Sequence, residues 1–281
     1  MDTCAITEDC IAAFANCLRT AEHAPTTVET YCRAVRSFAR WLNGCEATHE
    51  TAAAWKEHLL DTGRAPVTVS ALLAALNRYF RCMGREDCCV KYLKLQRRLF
   101  RDSRRELTRQ DYEKLHTSAR QHGKQRLALL METLAATGIR ISELKYITVQ
   151  AAQTGRTDIR LKGKIRTILL PGKLCRKLLQ YVKKKKIASG EIFLTRGGKG
   201  ISRKQVWAEL KRLSYEAGVE PDRVFPHNLR HLFAVAFYKV CRDIVRLADV
   251  LGHSSIETTR LYLISTGSEH AQMLDQLRLV L

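Results

Sequence analysis

The sequence predicts a mostly α-helical protein in two modules, the second carrying a small antiparallel sheet. Three observations predict it. Through residues 1–94 apolar positions recur at steps of three and four, as on helices with one buried face. From residue 107 onward helical stretches are interrupted by short β-branched runs, and two of these flank Lys162-Gly163-Lys164, a tight turn that reads as a hairpin. Between the modules lies a basic stretch, placed at residues 95–106, where the apolar pattern fades. Helices around one small sheet make the second module α+β.

The elements follow in order. A first helix is expected near residues 7–20. Thr26-Thr27-Val28-Glu29 reads as a capping box opening a helix with Val28, Tyr31, Val35, Phe38 and Leu42 on one face and Gly44 at its stop. A third runs from Thr51 to Asp61, and a fourth follows Pro66 and ends at Gly84. Residues 91–109 hold eight Lys or Arg against two acids and read as a linker lying against phosphates, with a solvated hinge as the plainer alternative. Helices at 108–122 and 125–137 lead to Gly138. Strands are expected at Tyr146–Val149, Thr157–Leu161 and Arg166–Leu170. A helix from Gly172 to Lys185 ends in four lysines, 183–186, which read as a solvated helix end. Ser202, with Gln205, caps another. The rest is helical, broken at Pro226 and Gly252.

Length and charge narrow the function. At 281 residues the chain can bury a real core. It carries 48 Lys and Arg against 28 Asp and Glu, a net charge of +20, which attracts polyanions, nucleic acid first. No run approaches a membrane span, and acidic residues near the start do not suit a secretion signal, so the cytoplasm is the expected compartment. Ten scattered cysteines without a CxxC pair read as reduced thiols, with Cys10 and Cys17 on one core-facing stripe. No phosphate loop, HExxH, GxSxG elbow or EF-hand loop is present. Gly197-Gly198-Lys199-Gly200 lacks dinucleotide spacing and reads as a turn. No cofactor or metal is expected.

The chemistry concentrates in a few positions. Arg140 follows a helix-breaking glycine in "ATGIRISEL". His227 and Arg230 lie three apart in "HNLRH", on one face of a helix that Pro226 favours starting. His253 follows Gly252, and Ser254 with Glu257 looks like the cap of a new helix that carries Tyr262, nine residues after His253. A phosphodiester resists attack because its nonbridging oxygens share a negative charge, so catalysis must neutralise charge at phosphorus. Two permanently charged, forked guanidiniums suit that task. A tyrosine hydroxyl, with an ordinary pKa near ~10, needs its proton drawn off to attack.

Arg140, then His227-x-x-Arg230, then His253, then Tyr262, resembles the active-site signature of the tyrosine recombinases, the phage-type integrases and Xer-like resolvases. The likeness covers residues 105–281, and the helical N-terminal module is similar in pattern to the family's core-binding, SAM-like domain. The resemblance implies a site-specific recombinase. Arg140 and Arg230 would clamp the scissile phosphate, and Tyr262 would attack it to give a 3′-phosphotyrosyl bond and a free 5′ hydroxyl. His227 would serve as acid or base near the tyrosine, His253 would hydrogen-bond the phosphate, and a hairpin lysine would protonate the leaving oxygen. Lys164 is that lysine here, with Lys162 as the alternative. It further implies double-stranded DNA with a specific site, a homotetramer on two duplexes, a Holliday junction, and a C-terminal helix over residues 269–281 docked on a neighbour or packed in cis. An accessory directionality protein could join. A mobile-element integrase is the preferred setting. A dimer resolvase, a type IB topoisomerase-like nicking enzyme and an inactive DNA binder are the alternatives. Taken singly, Tyr262 reads as a half-buried core tyrosine, His253 as a helix cap, His231 as a packing residue, and Glu143 as a structural residue, with a steering partner of Arg140 or a solvent-facing acid as the other readings.

Overall fold

The structure, a computed structural model, describes residues 5–94, 105–161, 164–263 and 275–276. It divides into two compact units, Met1–Arg97 and Arg98–Leu281. The expectation of a mostly helical chain with one small sheet holds, for the described sheet has two antiparallel strands.

The first unit contains α1 (Glu8–Thr20), α2 (Pro25–Leu42), α3 (His49–Asp61) and α4 (Pro66–Cys82). Helix α2 does not start at a capping box as expected. Ala24 is its N-cap, with no side-chain cap bond, and Pro25 supplies the first turn, its fixed φ suiting that position. The capping box belongs instead to α3, where Thr48 and Thr51 bond reciprocally, so Thr51 lies inside the helix it was expected to open. Phe38 centres the core, 5.1 Å from the Trp55 ring and edge-on to Phe80 at 6.2 Å. Buried Asn77 donates to the Val90 carbonyl (2.8 Å) and accepts its N–H (3.0 Å), so the segment after α4 is fixed by a side chain that mimics a strand partner. The cysteines are not all reduced. Cys17 and Cys82 form a disulfide, because α1 and α4 bring their Cα atoms to 6.4 Å, within bridging range. Sixty-five residues of sequence separate them, which hides the pair from a linear reading. Cys10 packs at the edge of the core. The basic stretch at residues 95–104 lies outside the described residues.

The second unit opens with α5 (Arg109–Gln121), capped by Thr108 and Asp111, and α6 (Gln125–Thr137), most of whose side chains are buried. Two turns of 3-10 helix (Ile141–Tyr146) and the short α7 (Val149–Thr154) follow. The strand expected at Tyr146–Val149 is therefore reduced to one bridge, Thr148 to Glu191. Thr148 turns the chain helical at once by accepting from the Ala151 N–H, so its β-branched character serves a cap. Strands β1 (Arg156–Leu161) and β2 (Lys164–Leu169) pair from Arg156↔Leu169 to Leu161↔Lys164. Lys162 and Gly163 at the turn, and the side chain of Lys164, lie outside the described residues. Then come α8 (Gly172–Lys185), α9 (Arg203–Glu216), α10 (Pro226–Cys241), α11 (Ile244–Leu251) and α12 (Ile256–Arg260). Thr195 and Lys199 close the Gly197–Gly200 stretch as a turn, as expected. Ser255, not Ser254, caps α12, and Tyr262 lies two residues past that helix instead of on it.

The core of this unit joins α5, α6, α8 and α9 to β1 and β2. A partly buried polar triad also ties it together. Glu132 on α6 accepts from His116 on α5 (2.5 Å) and from Lys177 on α8 (2.7 Å). Burial alone would raise its pKa, but these bonds prevail and lower it to about 2. Helix α10 packs along α6. Their contact is close at Gly138, where φ is +62° and an added Cβ would lie 2.3 Å from Cδ1 of Phe233. No helix among the described residues is long and apolar enough to cross a membrane.

Candidate active site

Three chain breaks bring the expected residues together. Gly138 ends α6 in the left-handed conformation and delivers Arg140. Pro226 starts α10, so His227 lies in its first turn and Arg230 one turn on. Gly252, at φ +64°, ends α11 and presents His253.

The two arginines have different surroundings. Arg230 is 2% exposed. It donates to the Gly138 carbonyl, to the Leu251 carbonyl (2.8 Å) and to Nε2 of His253 (2.8 Å). Burial and then the nearby Arg140 push its pKa down to about 10, with a hydrogen bond to Tyr262 opposing, so it stays charged at neutral pH. The Arg140 side chain is 43% exposed. Its backbone N–H and Nη1 donate to Glu143 (2.8 and 3.1 Å), and Nη2 reaches the Gly252 carbonyl (3.4 Å). Glu143 is 2% exposed and works as a buried partner to Arg140, not as a surface acid.

His253 holds its ring by two bonds, Nε2 to Arg230 and Nδ1 to the buried Thr259 hydroxyl (2.8 Å). Burial, then Arg230 and Arg140, lower its pKa to about 4. His227 is lowered by burial and by the same two arginines. Both imidazoles are thus neutral near pH 7. Tyr262 is 6% exposed, and its ring packs in a small cluster with Ala234, Leu247 and Leu251. It stacks on His253 (5.7 Å, 8°) and lies 5.4 Å from the His231 ring. Its hydroxyl lies 3.5 Å from Nε2 of His227. The plain readings of Tyr262 as a packed side chain and of His231 as a packing neighbour therefore describe real contacts. A neutral base beside a hydroxyl, with two cations alongside, is an arrangement able to generate a nucleophile and neutralise a phosphate. Among the described residues no cluster of three His, Cys, Asp or Glu could hold a metal.

The sequence reading missed Arg166 and Thr259. Arg166 on β2 donates to Glu143 (Nη2, 3.3 Å) and to the Leu251 carbonyl. Its only linear signal is a basic residue two positions after Lys164.

Residues 105–269 match the profile of the Phage integrase family, more than half of the chain. The chain belongs to that family. Residues 11–87 match the family's N-terminal SAM-like domain. Tyrosine recombinase XerC of Roseiflexus castenholzii is 30% identical over 260 residues, covering 84% of this chain and 82% of that protein. XerA of Thermococcus kodakarensis is 29% identical over 247 residues, covering 85% and 84%. In fold, this tyrosine recombinase is similar to a lambda integrase tetramer bound to a Holliday junction, with TM-score 0.72, 19% identity, and 91% and 76% of the two chains covered. It is also similar to the Tn1549 transposon integrase in complex with transposon right end DNA, with TM-score 0.69, 17% identity, and 97% and 99% covered. The enzyme thus belongs with proteins that cleave and rejoin DNA strands.

Proposed function

We propose that Tyr262 is the nucleophile of this recombinase and acts in the same chain that supplies the arginine clamp. The observation that carries this is its hydroxyl, 3.5 Å from a neutral His227 and hydrogen-bonded to Arg230. Arg140 and Arg230 would grip the nonbridging oxygens of the scissile phosphate. His227 would take the phenolic proton as the tyrosine oxygen bonds to phosphorus. The bond from phosphorus to the 5′ oxygen would break, and Lys164, or Lys162 in its place, would give that oxygen its proton. His253 would bond a nonbridging oxygen. The phosphotyrosyl bond keeps the energy of the bond that was cut, so rejoining needs no external energy source.

The proposed substrate is duplex DNA bearing a specific site, recombined by four protomers on two duplexes through a Holliday junction. Residues 1–94 and residues 107–281 would each contact the duplex, with residues 95–106 joining them. The proposed setting is integration and excision of a mobile element, with an accessory protein setting direction. The names of the Xer relatives favour a second reading, resolution of replicon dimers.

Nicked suicide duplexes test the chemistry. Incubated with the protein, they should give a covalent DNA–protein band on a denaturing gel. Tyr262→Phe should abolish the band and keep binding. Identical behaviour of the two proteins would refute the assignment. Duplexes made from DNA flanking the gene separate the settings, because a mobile element's enzyme should cleave them. A dimer resolvase should instead act on a site elsewhere in the replicon.

A further inference from the structure

We infer that Arg166 is a positioning residue for strand cleavage, holding both clamp arginines in place by bonding to the carboxylate behind Arg140 and to the carbonyl behind Arg230. The inference rests on the reading that Arg140 and Arg230 bind the scissile phosphate.

Two acceptors organise the clamp. The Glu143 carboxylate receives the backbone N–H and Nη1 of Arg140. The Leu251 carbonyl receives Nη2 of Arg230 at 2.8 Å. Arg166 reaches both, with Nη2 on Glu143 and Nη1 on Leu251. It is the one described side chain bonded to both acceptors. Its own side chain is only 13% exposed and comes from β2, where Arg166 pairs with Ile159. The hairpin is thereby fastened to the turn after α6 and to the end of α11.

Charge explains why an arginine is needed there. Glu143 is buried, and a buried carboxylate is costly without a cation. Arg140 is half-exposed, and a bound phosphate would compete for its fork. Arg166 is the cation that remains on Glu143 when that happens. A lysine would offer one compact ammonium, whereas the planar fork serves two acceptors at once. Gly252 makes room for it, since a Cβ there would lie 2.4 Å from Cδ of Arg166. The residue before His253 is thus constrained by Arg166 as well as by its positive φ.

The test uses the full chain with Arg166→Met and Arg166→Lys, and reads single-turnover covalent attachment to a nicked duplex. Arg166→Met should bind the duplex within about threefold of wild type, because binding spreads over many phosphates. It should cleave on the order of 100-fold more slowly, the cost of a clamp displaced by about an ångström. Arg166→Lys, which keeps a charge facing Glu143, should fold like wild type by thermal melt and recover only part of the rate. A second duplex with an uncharged methylphosphonate at the scissile position gives the deciding readout. There is no anionic charge to neutralise there, so the deficit of both variants should shrink to a few-fold. Equal deficits on the two duplexes would show a merely structural role and overturn the inference, as would wild-type rates in Arg166→Met or full recovery in Arg166→Lys. A wild-type protein that forms no covalent product would instead sink the recombinase chemistry beneath it.

Discussion

At His253 the partners settle the tautomer. A guanidinium only donates, so Nε2 beside Arg230 is the acceptor, and Nδ1–H donates to Thr259. To bond a phosphate oxygen, Nε2 must carry the proton instead. A threonine hydroxyl can accept from or donate to Nδ1, so Thr259 supports either form, and a phosphate that displaces Arg230 from Nε2 would reverse the pair. The free enzyme's pH dependence follows from the depressed histidines. His227 and His253 both titrate below 6.5, His253 near about 4. The second-order cleavage rate, which reports free-enzyme groups, should be flat from about pH 8 down to 6.5 and fall only below it. An acid limb centred above 6.5 would contradict neutral imidazoles. Stability should move in the same direction. The unfolded chain binds protons at these positions first, so stability is lost as pH falls from about 6.5 toward 4. The order Arg140, His227, Arg230, His253, Tyr262 was legible in the sequence. Burial of Glu143, the Thr259 contact and the reach of Arg166 were not, because each depends on elements far apart in the chain.

At the scale of elements, the end of α6 is the point where fold and chemistry meet. Gly138 must take a positive φ, must leave space for Phe233 on α10, and offers its carbonyl to Arg230. Gly138→Ala violates the first two and displaces the third. It should destabilise the chain by roughly 1–3 kcal/mol, seen as a lower melting temperature. Its cleavage rate should fall by more than its DNA affinity, since Arg230 would be displaced while the rest of the surface stays. Equal losses in both would place the effect in folding alone. Helix positions were largely legible from apolar spacing and from Pro66 and Pro226. The misreadings share one cause. Thr26, Thr148 and Ser254 belong to residue types that cap, enter strands or do neither, and only the local backbone decides among these. The Cys17–Cys82 bridge was illegible for a different reason, since it depends on which two helices pack.

For the molecule as a whole, the charge is unevenly placed. Residues 1–97 hold 12 Lys and Arg against 11 Asp and Glu, and residues 98–281 hold 36 against 17. Nearly all of the +20 therefore belongs to the unit with the arginine clamp. Binding to duplex DNA of arbitrary sequence should weaken with salt, with a log–log slope of about 0.9 per phosphate neutralised. A slope of that kind counts cations that meet phosphate, not all cations. Arg33 and Arg36 in the first unit are held by Glu29 (2.6 Å) and Glu8 (2.9 Å), so each already has a counter-charge. Replacing either with Gln should leave the slope unchanged. On the proposed mechanism Arg140 meets one phosphate, so Arg140→Gln should lower the slope by about one. Tyr262→Phe removes no charge and should leave it intact. Titrations at four or five salt concentrations resolve these outcomes. A fall in slope for the Arg36 variant would mean that DNA displaces Glu8, and that the near-neutral unit still grips the backbone through exchanged ion pairs.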